Sequence, residues 1–332
     1  MARVLEVENV VKRYRKSAGP ANDRLSLTVN EGEVYGLLGH NGAGKTTLAN
    51  QIVGLLRPDA GSIRVGGIDV VANPQAGRRE CSIQPQAQVP IAGLTPRQAI
   101  ELVGQLRGGD RGRVRRRAAA LTEALAIGEW LNTDGARLSG GVKRLVSFCM
   151  AAVSPGRVAI LDEPTNDVDP VRRRLLWQQV RRLADEDGVA VLLVTHNVVE
   201  AERAVDRLAV LDHGRVVAEG TPAELKASVA DEMRLEVVLE PDASEPRFPD
   251  FVDHVVPAGG SRLLATLPGR YAGDAAAWAQ SLRRLGRVEE FSLSPATLED
   301  VYVAIVGAAG GQPAGAAIPQ ITSKEELDVR VA

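Results

Sequence analysis

A chain of 332 residues with 40 Lys and Arg against 42 Asp and Glu has a formal net charge of -2, so its bulk composition offers no basic field for nucleic-acid binding and leaves only a local patch possible. The length suits one large α/β domain with something smaller attached, and the two cysteines, Cys81 and Cys149, suggest neither a disulfide framework nor a zinc site, which fits a reducing compartment. No apolar run approaches the roughly 18 residues of a membrane span, and Met1-Ala-Arg-Val-Leu-Glu6 lacks the apolar core of a signal peptide, so a soluble chain is expected.

Apolar and polar residues alternate over residues 3–9, with Val4, Leu5 and Val7 against Arg3, Glu6 and Glu8, and again over 25–29. This predicts two strands with one solvated face, separated by a polar turn at 19–23. Tyr14 sits between them among Lys12, Arg13, Arg15 and Lys16. A nucleotide base can stack on such a ring while the cations meet phosphates. The other reading is an ordinary edge-strand tyrosine, and the glycine-rich loop at 39–47 favours stacking. The apolar run 34–38 feeds Gly39-His40-Asn41-Gly42-Ala43-Gly44-Lys45-Thr46-Thr47, which opens into a helix from Leu48. The spacing Gly-x4-Gly-Lys-Thr turns backbone N–H groups onto phosphate oxygens at a helix N-terminus whose dipole favours anions. Lys45 then reaches the β- and γ-phosphates, and the Thr46 hydroxyl is placed for Mg²⁺.

Residues 62–67 read as a short strand and turn, and 81–86 as a strand that stops at Pro85. Gln86 comes next, a side-chain amide that could touch metal or water near the γ-phosphate, although sequence alone favours a plain loop glutamine. From Leu94 to Arg137 the pattern turns helical, with Thr95-Pro-Arg-Gln98 as a helix start and a basic run, Arg111, Arg113, Arg115, Arg116 and Arg117, read as a solvated face. Leu138-Ser139-Gly140-Gly141 then leads into an apolar helix, a second potential anion site about ninety residues after the first. One triphosphate need not contact both within a monomer, which hints at a site shared between chains.

The run 158–161 ends in Asp162 and Glu163, as expected of a buried parallel strand whose carboxyl end meets the ligand. Asp162 suits the shell of a metal and Glu163 suits polarising the attacking water. Another buried strand, 189–194, closes on Thr195-His196, a histidine able to contact γ-phosphate or water. A hairpin around His213-Gly214 and a short helix capped by Thr221 end the first domain near residue 228. Strands at 234–239, 262–267 and 288–293 with a helix at 274–285 make an α+β unit without visible chemistry.

In this order Tyr14, Gly39 to Thr47, Gln86, Leu138 to Gly141, Asp162-Glu163, Asp169-Pro170 and His196 resemble the nucleotide-binding subunit of ATP-binding-cassette (ABC) transporters over about residues 3–228. The resemblance implies an α/β P-loop NTPase cassette at 1–228 with a helical insertion at about 87–150. A small α+β accessory domain at 229–306 and a disordered tail at 307–332 would complete the chain. It implies ATP and Mg²⁺, the metal held by Thr46, Gln86 and Asp162. It implies a head-to-tail dimer in which Ser139, Gly140 and Gly141 of one copy grip the γ-phosphate bound to Lys45 of the other. Glu163 would act on the water, His196 would hold the γ-phosphate, and Asp169 would bridge the dimer. A separate integral-membrane subunit would dock near Gln86 and the helical insertion, placing the chain on the cytoplasmic face of the membrane, with no nucleic acid involved.

The ending Ser294-Pro-Ala-Thr-Leu-Glu-Asp-Val-Tyr302 resembles the branch that exports drugs and antibiotics. Three departures from the pattern stand out. Val142 stands where Gln or Met is common, Asn166-Asp167 replaces a Ser-Gly pair, and His40 replaces Pro or Ser. Two other classes compete. A soluble ABC ATPase acting on nucleic acid or ribosomes usually has a long coiled coil or two cassettes, and this sequence shows neither heptads nor a repeat. A small-molecule kinase would leave the Ser139 turn and His196 without a task.

Overall fold

The computed structural model describes residues 2–15, 17, 19–227, 232–241, 243–295 and 297–310. Among them the chain runs through β1 Arg3–Arg13, β2 Pro20–Asn30, β3 Val34–Leu38, α1 Lys45–Ile52, β4 Ala60–Val65, β5 Ile68–Asp69, α2 Pro74–Glu80 and β6 Cys81–Gln84. Three helices come next, α3 Pro96–Leu106, α4 Arg111–Ala124 and α5 Gly140–Ala152. Then come β7 Val158–Asp162, α6 Pro170–Asp185, β8 Ala190–Thr195, α7 Val198–Ala204, β9 Arg207–Asp212, β10 Arg215–Gly220 and α8 Pro222–Ala227. The last elements are β11 Glu232–Leu239, β12 His254–Pro257, β13 Arg262–Pro268, α9 Ala272–Arg284, β14 Val288–Pro295 and α10 Leu298–Gly310.

The central sheet has the order β10-β9-β3-β8-β7-β6, parallel from β9 to β6 with β10 reversed. The middles of its inner strands are apolar, as expected where both faces are covered, with polar residues only at strand ends. Side chains alternate across a strand, so each strand feeds two cores. Val158 and Ile160 of β7, with Ala190, Leu192 and Val194 of β8, pack toward α1 and the antiparallel sheet β2-β1-β4-β5. Ala159, Leu161, Val191 and Leu193 pack on the other face against residues of α3, α4, α5 and α6. The helical insertion therefore shares its core with the sheet. At the expected helix start, Thr95 and Gln98 form a capping box on α3, and Pro96 takes its first turn.

A third sheet, β12-β13-β11-β14, is antiparallel and buries Leu235, Val237, Ala265 and Leu267 against Ala275, Ala279 and Leu282 of α9. These elements form an α+β unit in which β12 is a strand that the sequence pattern did not suggest.

The structure corrects two expectations. The polar turn at 19–23 is the first part of β2, where Asn22 is fully buried and the Asp23 N–H donates to the Gly214 carbonyl at 2.9 Å. The Asn22 amide reaches the nucleotide loop and Asp23 pairs with Arg215, so hydrophilicity there does not mark a solvent-facing turn. The domain limit at 306 cuts through α10, which packs Leu298 and Val301 onto Leu38, Val198, Leu208, Val210 and Leu225 of the first domain. The expected tail at 307–332 thus begins inside this helix, and its remainder from 311 lies outside the described residues, as does the limit at 228.

Candidate functional site: a nucleotide cleft

Parallel strands end on one edge, so the segments after β3, β8, β7 and β6 converge. Leu38 pairs with Thr195, Asp162 with Val194 and Leu161 with Gln84. Tyr14, Asn41, Gly42, Gly44, Lys45, Thr46, Thr47, Gln86, Asp162 and Glu163, with Ala21, line one open cleft of about 380 Å³. Gln86 is among them, so topology places it where sequence alone left it a plain loop residue.

The nucleotide loop needs its glycines. Gly44 has φ +109°, and a Cβ there would lie 2.1 Å from the Ala21 carbonyl oxygen. Gly44 also caps α1 without any side-chain acceptor, whereas α2 to α7 each start on a side chain that accepts from the first turn. The amide donors of α1 are thus left to a ligand. Lys45 is buried and its Nζ donates to the carbonyls of Gly39 at 2.6 Å and His40 at 3.0 Å. Burial lowers the Lys45 ammonium from its usual value, against the upward pull of Glu163 and Asp162. Tyr14 is exposed and its hydroxyl lies 3.4 Å from Thr47 Oγ1.

Thr46 Oγ1 donates to Asp162 Oδ2 at 3.2 Å. Burial raises the Asp162 carboxyl, opposed by that hydrogen bond and reinforced by Glu163. Glu163 is 2% exposed and holds φ +50°, a backbone region costly for a non-glycine residue. Its Oε1 accepts from the His196 backbone N–H at 2.9 Å and faces His196 Nδ1 at 2.6 Å, while Oε2 accepts from Thr195 Oγ1 at 3.1 Å. His196 therefore binds Glu163, a pairing that separate readings of the two residues missed.

The Ser139, Gly140 and Gly141 turn does not line the cleft; nor do Asp169, His196, Gly39, His40 and Ala43. Ser139 accepts from the Val142 N–H at 3.4 Å, and Asp169 caps α6 and pairs with Arg172 at 3.0 Å. A Cβ on Gly141 would meet the Asp167 carbonyl oxygen at 2.4 Å, and Val142 is buried in the helical core. Sequence reading missed Arg144, which is 5% exposed and donates to the carbonyls of Pro85 at 2.9 Å and Gln86 at 2.8 Å. It also missed Asn22, which donates to the Gly44 carbonyl at 3.2 Å, and Tyr302 of α10, which packs against the Leu38, Leu208 and Val210 cluster behind the loop. In the basic run, Arg115 pairs with Glu101 and Arg117 with Asp187, as a solvated helix face would.

Comparison with known proteins decides what this cleft belongs to. The ABC transporter family profile matches residues 22–166, and the chain is 34% identical over 325 residues to the daunorubicin/doxorubicin resistance ATP-binding protein DrrA of Streptomyces peucetius, spanning 92% of this chain and 93% of that one. The chain belongs to the ABC transporter family. It is an ATP-binding, ATP-hydrolysing subunit on the drug-resistance branch of that family. The retinal-specific phospholipid-transporting ATPase ABCA4 of Mus musculus is 30% identical over 92% of this chain, but the chain spans only 15% of its length. Among solved structures, an ATP-binding subunit of an ABC transporter matches with a TM-score of 0.63 and 29% identity over 68% of this chain and 93% of that one. A dimeric cassette in a post-hydrolysis state bound to ADP and Pi matches with a TM-score of 0.58 and 25% identity over 65% of this chain and 98% of that one. The ABC cassette fold expected from the motifs is present, and these relatives do not support the nucleic-acid reading.

Proposed function

We propose that this ABC ATPase powers export of a drug, antibiotic or other hydrophobic compound through a separate membrane-spanning subunit, from the cytoplasmic face of the membrane. The observation that carries the reading is the division of the motifs. Tyr14, the nucleotide loop, Gln86 and the acidic pair share one cleft, while the Ser139 turn does not line it. A second copy, head to tail, supplies Ser139, Gly140 and Gly141 to the γ-phosphate, and Asp169 bridges the two. Relatives support this: DrrA is named for drug resistance, and a similar cassette is dimeric with ADP and Pi. Among the described residues no helix is long and apolar enough to cross a membrane, consistent with a spanning partner elsewhere.

In this mechanism the base stacks on Tyr14 and the triphosphate takes the uncapped amides of α1. Lys45 exchanges the carbonyls of Gly39 and His40 for phosphate oxygens. The Thr46 hydroxyl, the Asp162 carboxylate and the Gln86 amide oxygen are hard oxygen donors, a set that fits Mg²⁺. Mg²⁺, when bound, neutralises charge developing on the phosphate oxygens. Glu163 accepts the proton of the attacking water, and His196 orients that carboxylate through Nδ1. Light scattering with and without Mg-ATP tests the shared site. Nucleotide-dependent dimers are expected, and full turnover by a strict monomer would refute it.

A further inference from the structure

Outside the cleft, His40, Asp212 and His213 each place one donor atom within 4.8 Å of the others. The surroundings of the His40 ring show what this cluster needs. Its Nδ1 lies 2.8 Å from the Asn41 carbonyl oxygen, an acceptor only, so Nδ1 carries the proton and donates. In the neutral ring Nε2 is left with its lone pair, and it faces Asp212 Oδ1 at 3.0 Å, a second acceptor. Two acceptors at that distance are reconciled by a second ring proton or by a metal ion between them. His213 brings a second imidazole, with Nε2 3.9 Å from the same Oδ1 and ring centroids 5.6 Å apart.

The supports differ in a way that suits capture of an ion. Asp212 is buried at the end of β9, whereas the His213 side chain is 82% exposed in the β9–β10 turn and can swing inward. A metal-ligating imidazole typically donates its other ring N–H to a carbonyl or carboxylate, as His40 does to Asn41. Around one zinc ion at bond lengths of about 2.0–2.2 Å, tetrahedral donors stand roughly 3.2–3.6 Å apart, a span bracketed by the 3.0 and 3.9 Å separations here.

We propose that His40, Asp212 and His213 form a binding site for a divalent transition metal, zinc(II) by preference, with water completing a tetrahedral shell. Two imidazoles and one carboxylate select such an ion over Mg²⁺, whose ligands are oxygens. The ion would staple the nucleotide loop to the β9–β10 turn, reinforcing the Gly214 N–H that donates to the Ala43 carbonyl at 3.0 Å. His40 also lends its carbonyl to Lys45, so the staple acts on the segment that must release Lys45 to a phosphate.

The test uses tag-free, full-length protein stripped of metal and titrated with Zn²⁺ against a chromophoric chelator, without nucleotide or Mg²⁺. Co²⁺ substitution reports geometry through its visible absorption. The expected result is one equivalent of Zn²⁺ bound by the unaltered protein, tetrahedral Co²⁺ bands, and affinity weakened at least about 100-fold in His213→Ala. His213 is exposed, so the metal-free melting temperature of that variant should match the parent and rule out misfolding. His254→Ala, distant in the third sheet, should bind zinc as the parent does. Unchanged zinc affinity in His213→Ala overturns the site. So does the absence of stoichiometric uptake by the parent, which would leave a doubly protonated His40 ring as the cation.

Discussion

Glu163→Gln replaces one carboxylate oxygen by an amide nitrogen at constant shape, and the neighbouring hydrogen bonds determine what else changes. The amide oxygen at the Oε1 position still accepts from the His196 backbone N–H and faces Nδ1, which lie 2.9 and 2.6 Å away. The amide nitrogen at the Oε2 position then donates to Thr195 Oγ1, 3.1 Å away, because a hydroxyl can accept as well as donate. Thr195 Oγ1 then accepts from both that nitrogen and the Asn197 N–H while its own proton loses an acceptor, so stability should fall by only about 1–2 kcal/mol. A positioned general base contributes about 10²- to 10⁴-fold, which corresponds to about 2.7–5.4 kcal/mol of barrier. Phosphate release from Mg-ATP should fall by that factor while a fluorescent-ATP titration stays within about twofold of the parent and ATP-bound dimers accumulate. Turnover within about threefold of the parent would remove Glu163 from the chemistry. A melting point lowered by many degrees would instead sink the hydrogen-bond exchange argument.

Lys45→Ala takes away the one ammonium among the residues lining the cleft, and the same fluorescent titration should show nucleotide affinity lost by 100-fold or more, on the order of 3 kcal/mol for a charge-assisted contact. Near-parental affinity would contradict that placement. Leu235→Ala, at a fully buried position of β11, should cost about 2–5 kcal/mol of stability in calorimetry yet leave nucleotide affinity intact, because its core is separate from the two that flank the central sheet. Loss of ATP binding in folded protein would show the cores to be coupled. Burial pushes the Cys81 thiol up to about 12 and raises Cys149 as well, so a thiol reagent at pH 8 should modify neither cysteine before unfolding. Rapid labelling of the native protein would contradict their burial.

Short-range chemistry was legible in the sequence. The Gly-x4-Gly-Lys-Thr spacing, the Thr95–Gln98 capping box and the apolar runs of β7 and β8 are local patterns, and each describes the element that formed. Pairings across the fold were not. Nothing near Asn22 announces that its amide will meet the Gly44 carbonyl, because β2 reaches the nucleotide loop only after the sheets pack. His196 and Glu163 were each flagged alone, but their contact depends on β7 and β8 being neighbours, which is a topological fact. The return of α10 to the cassette was hidden for the same reason, since Leu298 and Val301 find partners that range from Leu225 back to Leu38.

Arg144 connects the cleft to the helix that begins at the Ser139 turn. It sits on α5, the helix that begins at the Ser139 turn, and its guanidinium holds the carbonyls of Pro85 and Gln86 while its own carbonyl accepts from Gln84 Nε2 at 3.1 Å. A buried guanidinium with paired hydrogen bonds is a stiff connection, because breaking either leaves a charge poorly solvated in a low dielectric. Any shift of Gln86 toward a ligand in the cleft therefore pulls on α5, and α5 carries the Ser139 turn at its first residue. Glu163 adds the other constraint, since its positive φ and its tie to His196 fix the far wall of the same cleft. One wall of the cleft is thus tied through Arg144 to α5 and the other through His196 to the central sheet, so the two walls are held by different elements of the fold.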